Sequence, residues 1–155
     1  MDKEELPLSA LNTVFNKQSG MLGVSGVSSD MREVEAAADE GNDRAKLALE
    51  MYNYRIIKYI GSYAAAMGGV DVIVFTGGIG ENASRVRESV CSKFQFMGLE
   101  LDSERNNVER GQEAVISKDG SKIKALVVPT NEEYVIATET MKVINQPDKE
   151  PAWGN

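Results

Sequence analysis

Between residues 43 and 82 the sequence runs through a long apolar helical stripe, a double glycine, a short β-branched run and a glycine-rich turn, an order that few folds accommodate. Ala45, Leu49, Tyr52, Ile56, Tyr59 with Ile60, Tyr63 and Met67 recur at three- and four-residue steps. That spacing lines one face of a helix of about six turns. Gly68-Gly69 ends the pattern, and Val70-Asp71-Val72-Ile73-Val74-Phe75 has the makeup of a strand buried on both faces. Thr76-Gly77-Gly78-Ile79-Gly80-Glu81-Asn82 breaks the strand ahead of a second helical period at Val86, Val90 and Phe94. Helix, glycine stop, buried strand and helix again are the grammar of an α/β fold.

The flanking segments fit that class. Residues 1–30 are rich in Gly and Ser, with Gly20, Gly23 and Gly26 at every third position. Each glycine costs about 1 kcal/mol in a helix interior relative to Ala, so this region reads as loop plus one short element. Ser28, Ser29 or Asp30 then caps a helix that runs to about Glu40 and stops at Gly41-Asn42. Short strand candidates follow between residues 98 and 121, around a polar stretch from Ser103 to Arg110, and Lys118-Asp119-Gly120-Ser121 reads as a hairpin turn. Residues 123–128 form another strand, stopped by Pro129. Thr130 and Glu133 fit a capping box, and Val135, Ile136 and Ile144 mark the apolar side of a last helix ending near Asn145. Residues 146–155 hold two prolines and no period, and are expected to be a mobile tail.

Composition removes several function classes. With 155 residues and a net charge of −7, the chain has one domain's worth of sequence and no cluster of Lys and Arg to read a phosphate backbone, so nucleic acid is not expected as a partner. No apolar stretch approaches the ~20 residues of a membrane helix, and the charged opening Met1-Asp2-Lys3-Glu4-Glu5 leads into no apolar leader. A lone cysteine, Cys91, has no disulfide or zinc partner and reads as a structural thiol in a reducing, cytoplasmic setting. Histidine is absent, which removes Ser-His and Cys-His nucleophile systems and imidazole acid–base chemistry. Carboxylates, backbone amides, hydroxyls, Lys, Arg and hard cations remain.

Two features can carry chemistry. The glycine turn at residues 77–80 sits at the carboxyl end of a strand and just before a helix, where backbone amides and a positive dipole end meet an anion. From spacing alone it is equally a tight connection, and it matches neither a dinucleotide fingerprint nor a Walker A loop. Glu132 is spare if Glu133 completes the capping box, so it is either a ligand for a hard cation such as Mg2+ that bridges phosphates or a solvated acid favoured by the helix dipole. Asp30 and Arg32 read first as a cap and a surface charge.

The stretches Asn16-Lys17-Gln18-Ser19-Gly20-Met21-Leu22-Gly23-Val24-Ser25-Gly26-Val27-Ser28-Ser29-Asp30-Met31-Arg32, Val70-Asp71-Val72-Ile73-Val74-Phe75-Thr76-Gly77-Gly78-Ile79-Gly80-Glu81-Asn82, and Val127-Val128-Pro129-Thr130-Asn131-Glu132-Glu133 stand out together. They resemble the acetate kinase family, in its order and at about its spacing, within a similarity that covers residues 8–144. The resemblance implies an α/β fold, part of an actin-like ATPase (ribonuclease H-like) domain with a mixed sheet flanked by helices. It also implies an ATP:acetate phosphotransferase that makes acetyl phosphate and ADP, with ATP/ADP and Mg2+ as cofactors. In that family the segment matching Gly78, Ile79, Gly80, Glu81 and Asn82 lines the adenosine and α-phosphate site. The segment matching Asp30, Met31 and Arg32 borders base and ribose, and the glutamate matching Glu132 is associated with Mg2+.

Family members are more than twice this long, so residues 1–145 correspond to their C-terminal nucleotide-binding part. The acetate pocket and the groups that stabilise the transferring phosphoryl belong to the missing half, no catalytic residue is expected in this chain, and the chain alone should not turn over. The missing strands would leave a sheet edge uncovered, to be filled by self-association unless the chain is a fragment. A homodimer is expected from the family's habit. Propionate kinase and a non-catalytic nucleotide-binding or dimerisation module are the alternatives.

Overall fold

A computed structural model describes residues 7–108 and 111–145, and the expected tail at 146–155 lies outside the described residues. Two compact units emerge, one from Met1–Val70 with Ser89–Phe96 and the other from Asp71–Glu88 with Met97–Asn155.

The first unit is helical. Its first helix, α1 (Leu8–Lys17), and a short second one, α2 (Gly20–Ser25), replace the expected loop with one short element. Leu8, Leu11 and Phe15 carry the helical period of α1, and the Pro7 carbonyl accepts the Ala10 and Leu11 amides at its open end. The three glycines that argued against helix each have a separate place in α2. Gly20 is its first residue, and Gly26 closes it in a left-handed conformation at φ +68°. At Gly23 a side chain would stand 2.9 Å from the Gln18 carbonyl oxygen, so only a bare Cα passes.

Helix α3 (Met31–Asp39) starts at Asp30, one of the three cap candidates in the sequence, whose carboxylate accepts the Arg32 amide at 2.9 Å. The long helix α4 (Asp43–Met67) starts at Asn42, whose Oδ1 accepts the Ala45 amide at 3.0 Å, and stops at Gly68. Val34, Ala38, Ala45 and Ala48 form the core between α3 and α4, with Met21, Val24, Ala37 and Leu49 packed around them. Arg44 ties α4 to α2 by donating to the Val24 and Gly23 carbonyls at 3.0 and 3.1 Å. The predicted stripe is only partly buried: Ala45 is enclosed, Leu49, Tyr52, Ile56 and Ile60 are half-buried, and Tyr59, Tyr63 and Met67 are exposed. Small alanines make the close contacts because helix axes approach nearest where side chains are shortest.

The second unit holds a three-stranded sheet in the order β1-β3-β2. Strand β1 (Val72–Phe75) pairs in parallel with β3 (Lys124–Val127), and β2 (Ala114–Val115) pairs antiparallel to β3 across the predicted hairpin turn. Helices α5 (Gly77–Asn82) and α6 (Ser84–Cys91) begin the connection from β1, and a 3-10 helix (Ser92–Met97) follows α6. Val86, and in the Ser89–Phe96 stretch of the first unit Val90 and Phe94, are buried as their period predicts, and Cys91 is buried as well. The sheet buries Ile73, Phe75, Ala125 and Val127 on one face, so the strand at 70–75 is not covered on both: Val72 and Val74 are 45% and 51% exposed. Among the described residues β1 pairs only with β3, which leaves the uncovered edge expected above. The last helix, α7 (Glu132–Asn145), has the predicted extent, yet Val135, Ile136 and Ile144 are all exposed.

Replacing Asn42 with Ala removes the acceptor for the Ala45 amide and should cost about 1 kcal/mol, read as a lower urea midpoint with unchanged slope, while Asn42→Asp retains most of the stability.

Candidate functional site

The carboxyl ends of β1 and β3 leave the sheet side by side because the strands are parallel, and a threonine from each meets there. The hydroxyls of Thr76 and Thr130 lie 2.7 Å apart, sharing a hydrogen bond, and the Gly77 amide donates to Thr130 Oγ1 at 3.0 Å. The Thr130 amide donates in turn to Glu81 Oε1 at 2.9 Å. Thr130 is therefore a junction residue and not the expected helix cap. Asn131 takes the cap, its Oδ1 accepting the Tyr134 amide at 3.0 Å. Asn can cap as well as Thr, and the hydroxyl of Thr130 is already engaged across the sheet.

The glycine turn is itself helical, winding into α5 directly after Thr76. Its glycines differ in role. Gly77 has φ +69°, a conformation that other residues reach only with strain, and a side chain at Gly77 or Gly78 would meet nothing within 4 Å. The backbone at these two positions is thus open to close approach. At Gly80 a Cβ would stand 3.0 Å from the backbone carbon of Phe75, so this glycine lets α5 pack on its own strand. The polar side chains of the segment are engaged by nearby backbone: Glu81 accepts the Thr130 amide, and Asn82 Nδ2 donates to the Gly78 carbonyl at 2.8 Å.

Sequence reasoning missed Arg87 and Asn106, both buried in this unit. The Arg87 guanidinium donates to the carbonyls of Gly80 and Glu81 at 2.9 and 2.8 Å, and to Asn106 Oδ1 and O at 2.8 and 2.5 Å. A signal was present: Arg87 falls between Val86 and Val90 in the apolar period of α6, where a cation is out of place unless it is hydrogen-bonded.

Asp30, Met31 and Arg32 belong to the other unit. Arg32 is exposed and doubles back on Asp30, donating from Nε at 3.1 Å and from Nη2 at 2.6 Å. Hydrogen bonds from the Arg32 side chain, then from its amide, hold the Asp30 carboxyl at about 2 against an ordinary 3.8. Met31 is half-buried at the first position of α3.

Glu132 is the first residue of α7 and is exposed. Among the described residues no three Asp, Glu, His or Cys side chains gather into a metal cluster. Mg2+ needs only one or two protein carboxylates when phosphate oxygens and water complete its shell, so a single hard oxygen donor such as Glu132 fits that ion.

The model of the acetokinase family matches residues 1–138. The chain belongs to the acetokinase family. An acetate kinase of Porphyromonas gingivalis is 58% identical over 144 residues, which are 93% of this chain and 36% of that protein. A crystal structure of acetate kinase from the same species superposes with a TM-score of 0.82 at 57% identity over 93% of this chain and 36% of its own. The acetate kinase of Entamoeba histolytica gives 0.81 at 32% identity, covering 89% and 37%. A propionate kinase of Francisella tularensis gives 0.77 at 38%, covering 89% and 35%. The chain thus spans about 36% of the length of the curated relatives it matches, and its mixed sheet with helices is a portion of the acetokinase, actin-like ATPase fold.

Two outcomes test this geometry. Gly80→Ala should destabilise the protein by about 1–3 kcal/mol because backbone must move to admit the methyl, whereas Gly78→Ala, with open space around it, should melt within a degree or two of the parent. Titrated by carboxyl-carbon NMR, Asp30 should have its midpoint near 2, and Arg32→Gln should return it toward 3.8. The lowered value means that the pair stabilises the fold above pH 3.8 and that this contribution is lost as pH falls through about 2.

Proposed function

We propose that this chain supplies the nucleotide- and Mg2+-facing part of an acetate kinase, an ATP:acetate phosphotransferase that reversibly makes acetyl phosphate and ADP. The observation that carries the reading is the open backbone at Gly77 and Gly78, set beside the Thr76–Thr130 junction at the carboxyl ends of two parallel strands. Open α/β sheets receive ligands at that end. The family match and the structural likeness to acetate kinases support the same assignment.

In this reading the segment Gly78, Ile79, Gly80, Glu81 and Asn82 borders the adenosine and α-phosphate, because bare backbone lets the nucleotide lie close to main-chain groups. Asp30, Met31 and Arg32 border base and ribose, with Asp30 fixing the start of α3 and keeping the Arg32 guanidinium in place. Glu132 holds Mg2+, which when bound neutralises phosphate charge. Phosphoryl transfer is governed by positioning and charge neutralisation, and acetate capture and the remaining charge stabilisation belong to sequence outside this chain. The chain alone therefore binds nucleotide without turnover. It works in the cytoplasm, where the thiol of buried Cys91 stays reduced, and pairs with a second copy.

Propionate is the second acyl substrate to weigh, since the Francisella propionate kinase is 38% identical here and the Entamoeba acetate kinase 32%. Identity over this portion does not sort the two acids, in keeping with an acyl pocket elsewhere.

Calorimetric titration with ADP and Mg2+ should give saturable binding. Glu132→Ala should lose the Mg2+ dependence and weaken binding on the order of tenfold. Absence of binding by the unaltered chain would sink the nucleotide assignment for the chain alone. If binding is present, restored acetyl phosphate formation on adding the N-terminal portion of an acetate kinase separates a catalytic part from a stand-alone binding module.

A further inference from the structure

We propose that Arg87 is a positioning residue, and that with Asn106 it braces the segment Gly78–Asn82 in the shape that receives the nucleotide. The inference rests on the nucleotide reading for what the segment binds, and on the hydrogen bonds of α5 for how it is held. A helix of six residues is too short to hold itself, because the last four carbonyls of any helix lack partners within it. In α5 the Ile79 carbonyl accepts the Ala83 amide at 2.9 Å. The next two, Gly80 and Glu81, both accept from Arg87 Nη1. The guanidinium is thus a cation at the carboxyl end of the helix, where the dipole favours positive charge.

Arg87 itself is 1% exposed. Its Nε and Nη2 are fixed by the side-chain and backbone oxygens of Asn106, and Asn106 Nδ2 donates to the Ser84 carbonyl at 3.0 Å. A guanidinium reaches all these acceptors at once because its five donors lie in one rigid plane, which an ammonium cannot reproduce. The brace acts on the far end of α5 from Gly77 and Gly78. It therefore fixes the segment while leaving the open backbone free for a ligand.

Local hydrogen exchange reads this directly. The Ala83 amide, which closes α5, and the Thr130 amide, which rests on Glu81, are the reporters; the Lys124 and Ile116 amides, hydrogen-bonded to Asp71 and Ala125, are controls in the same unit. In Arg87→Lys, and more so in Arg87→Gln, exchange at the reporters should rise about tenfold or more while the controls change less than about twofold, and ADP affinity should fall by a comparable factor. Asn106→Ala, which keeps the charge and the backbone acceptor while removing Oδ1 and the bond to Ser84, gives a milder version should the Arg87 variants not fold. Equal losses at reporters and controls, or none at the reporters, overturn the proposal. An unaltered chain that protects its reporters but does not bind ADP overturns the nucleotide reading instead, and the exchange pattern then decides whether Arg87 holds the segment.

Discussion

The parallel pairing of β1 with β3 is the constraint from which the second unit follows. Parallel strands end on the same side of a sheet, so the residues just beyond Phe75 and Val127 emerge as neighbours although some 50 positions separate them in sequence. The register also sets the faces. Ile73 opposite Ala125 and Phe75 opposite Val127 place the two buried residues of each strand on one side, and a slip of one residue would turn them all outward. Thr76 and Thr130 meet because of that register, and their hydrogen bond ties the turn after one strand to the loop after the other.

Beyond the junction, the polar groups of the turn are largely engaged with one another. Glu81 receives an amide, Asn82 returns to Gly78, and Arg87 gathers two carbonyls and Asn106 into one buried network. Buried polar groups are tolerable only when satisfied, so such a network either forms as a whole or costs several kcal/mol. What stays open is main chain at Gly77 and Gly78. Side chains thus hold the frame of the turn, and the exposed part of it is main chain.

Several apolar surfaces remain uncovered among the described residues: the Val72 and Val74 face of β1, Tyr59, Tyr63 and Met67 on α4, and nearly all of α7. These are the places where periodicity alone was misleading. It identified Tyr59, Tyr63 and Ile144 as apolar sides of helices, correctly as to helix and incorrectly as to burial, because a stripe records a preference for burial and not which partner provides it. The chain spans about 36% of the length of its curated relatives.

Elements with strong local signals were legible in the sequence: the extents of α4 and α7, the strand at Val72–Phe75, the hairpin before β3, the Asp30 cap and the Gly68 stop. Motifs also identified the family before any coordinates. Helices α1 and α2 were obscured because glycine counts as a helix breaker in an average, while Gly20 opens α2 at φ +62°, Gly23 passes the Gln18 carbonyl and Gly26 caps the end. The partners of Thr130, Arg87 and Asn106 were beyond sequence reasoning for a different reason, although the place of Arg87 in the apolar period of α6 marked it as a cation that needs partners. A hydroxyl, a guanidinium and an amide can each satisfy many partners, and which ones they choose is fixed only when distant segments are brought within 3 Å. The sequence by itself determined the elements and the family, through short-range periodicity and caps. Only the tertiary structure decided which hydrogen bonds hold the turn and which faces are left open, because those depend on strand register and on what lies alongside.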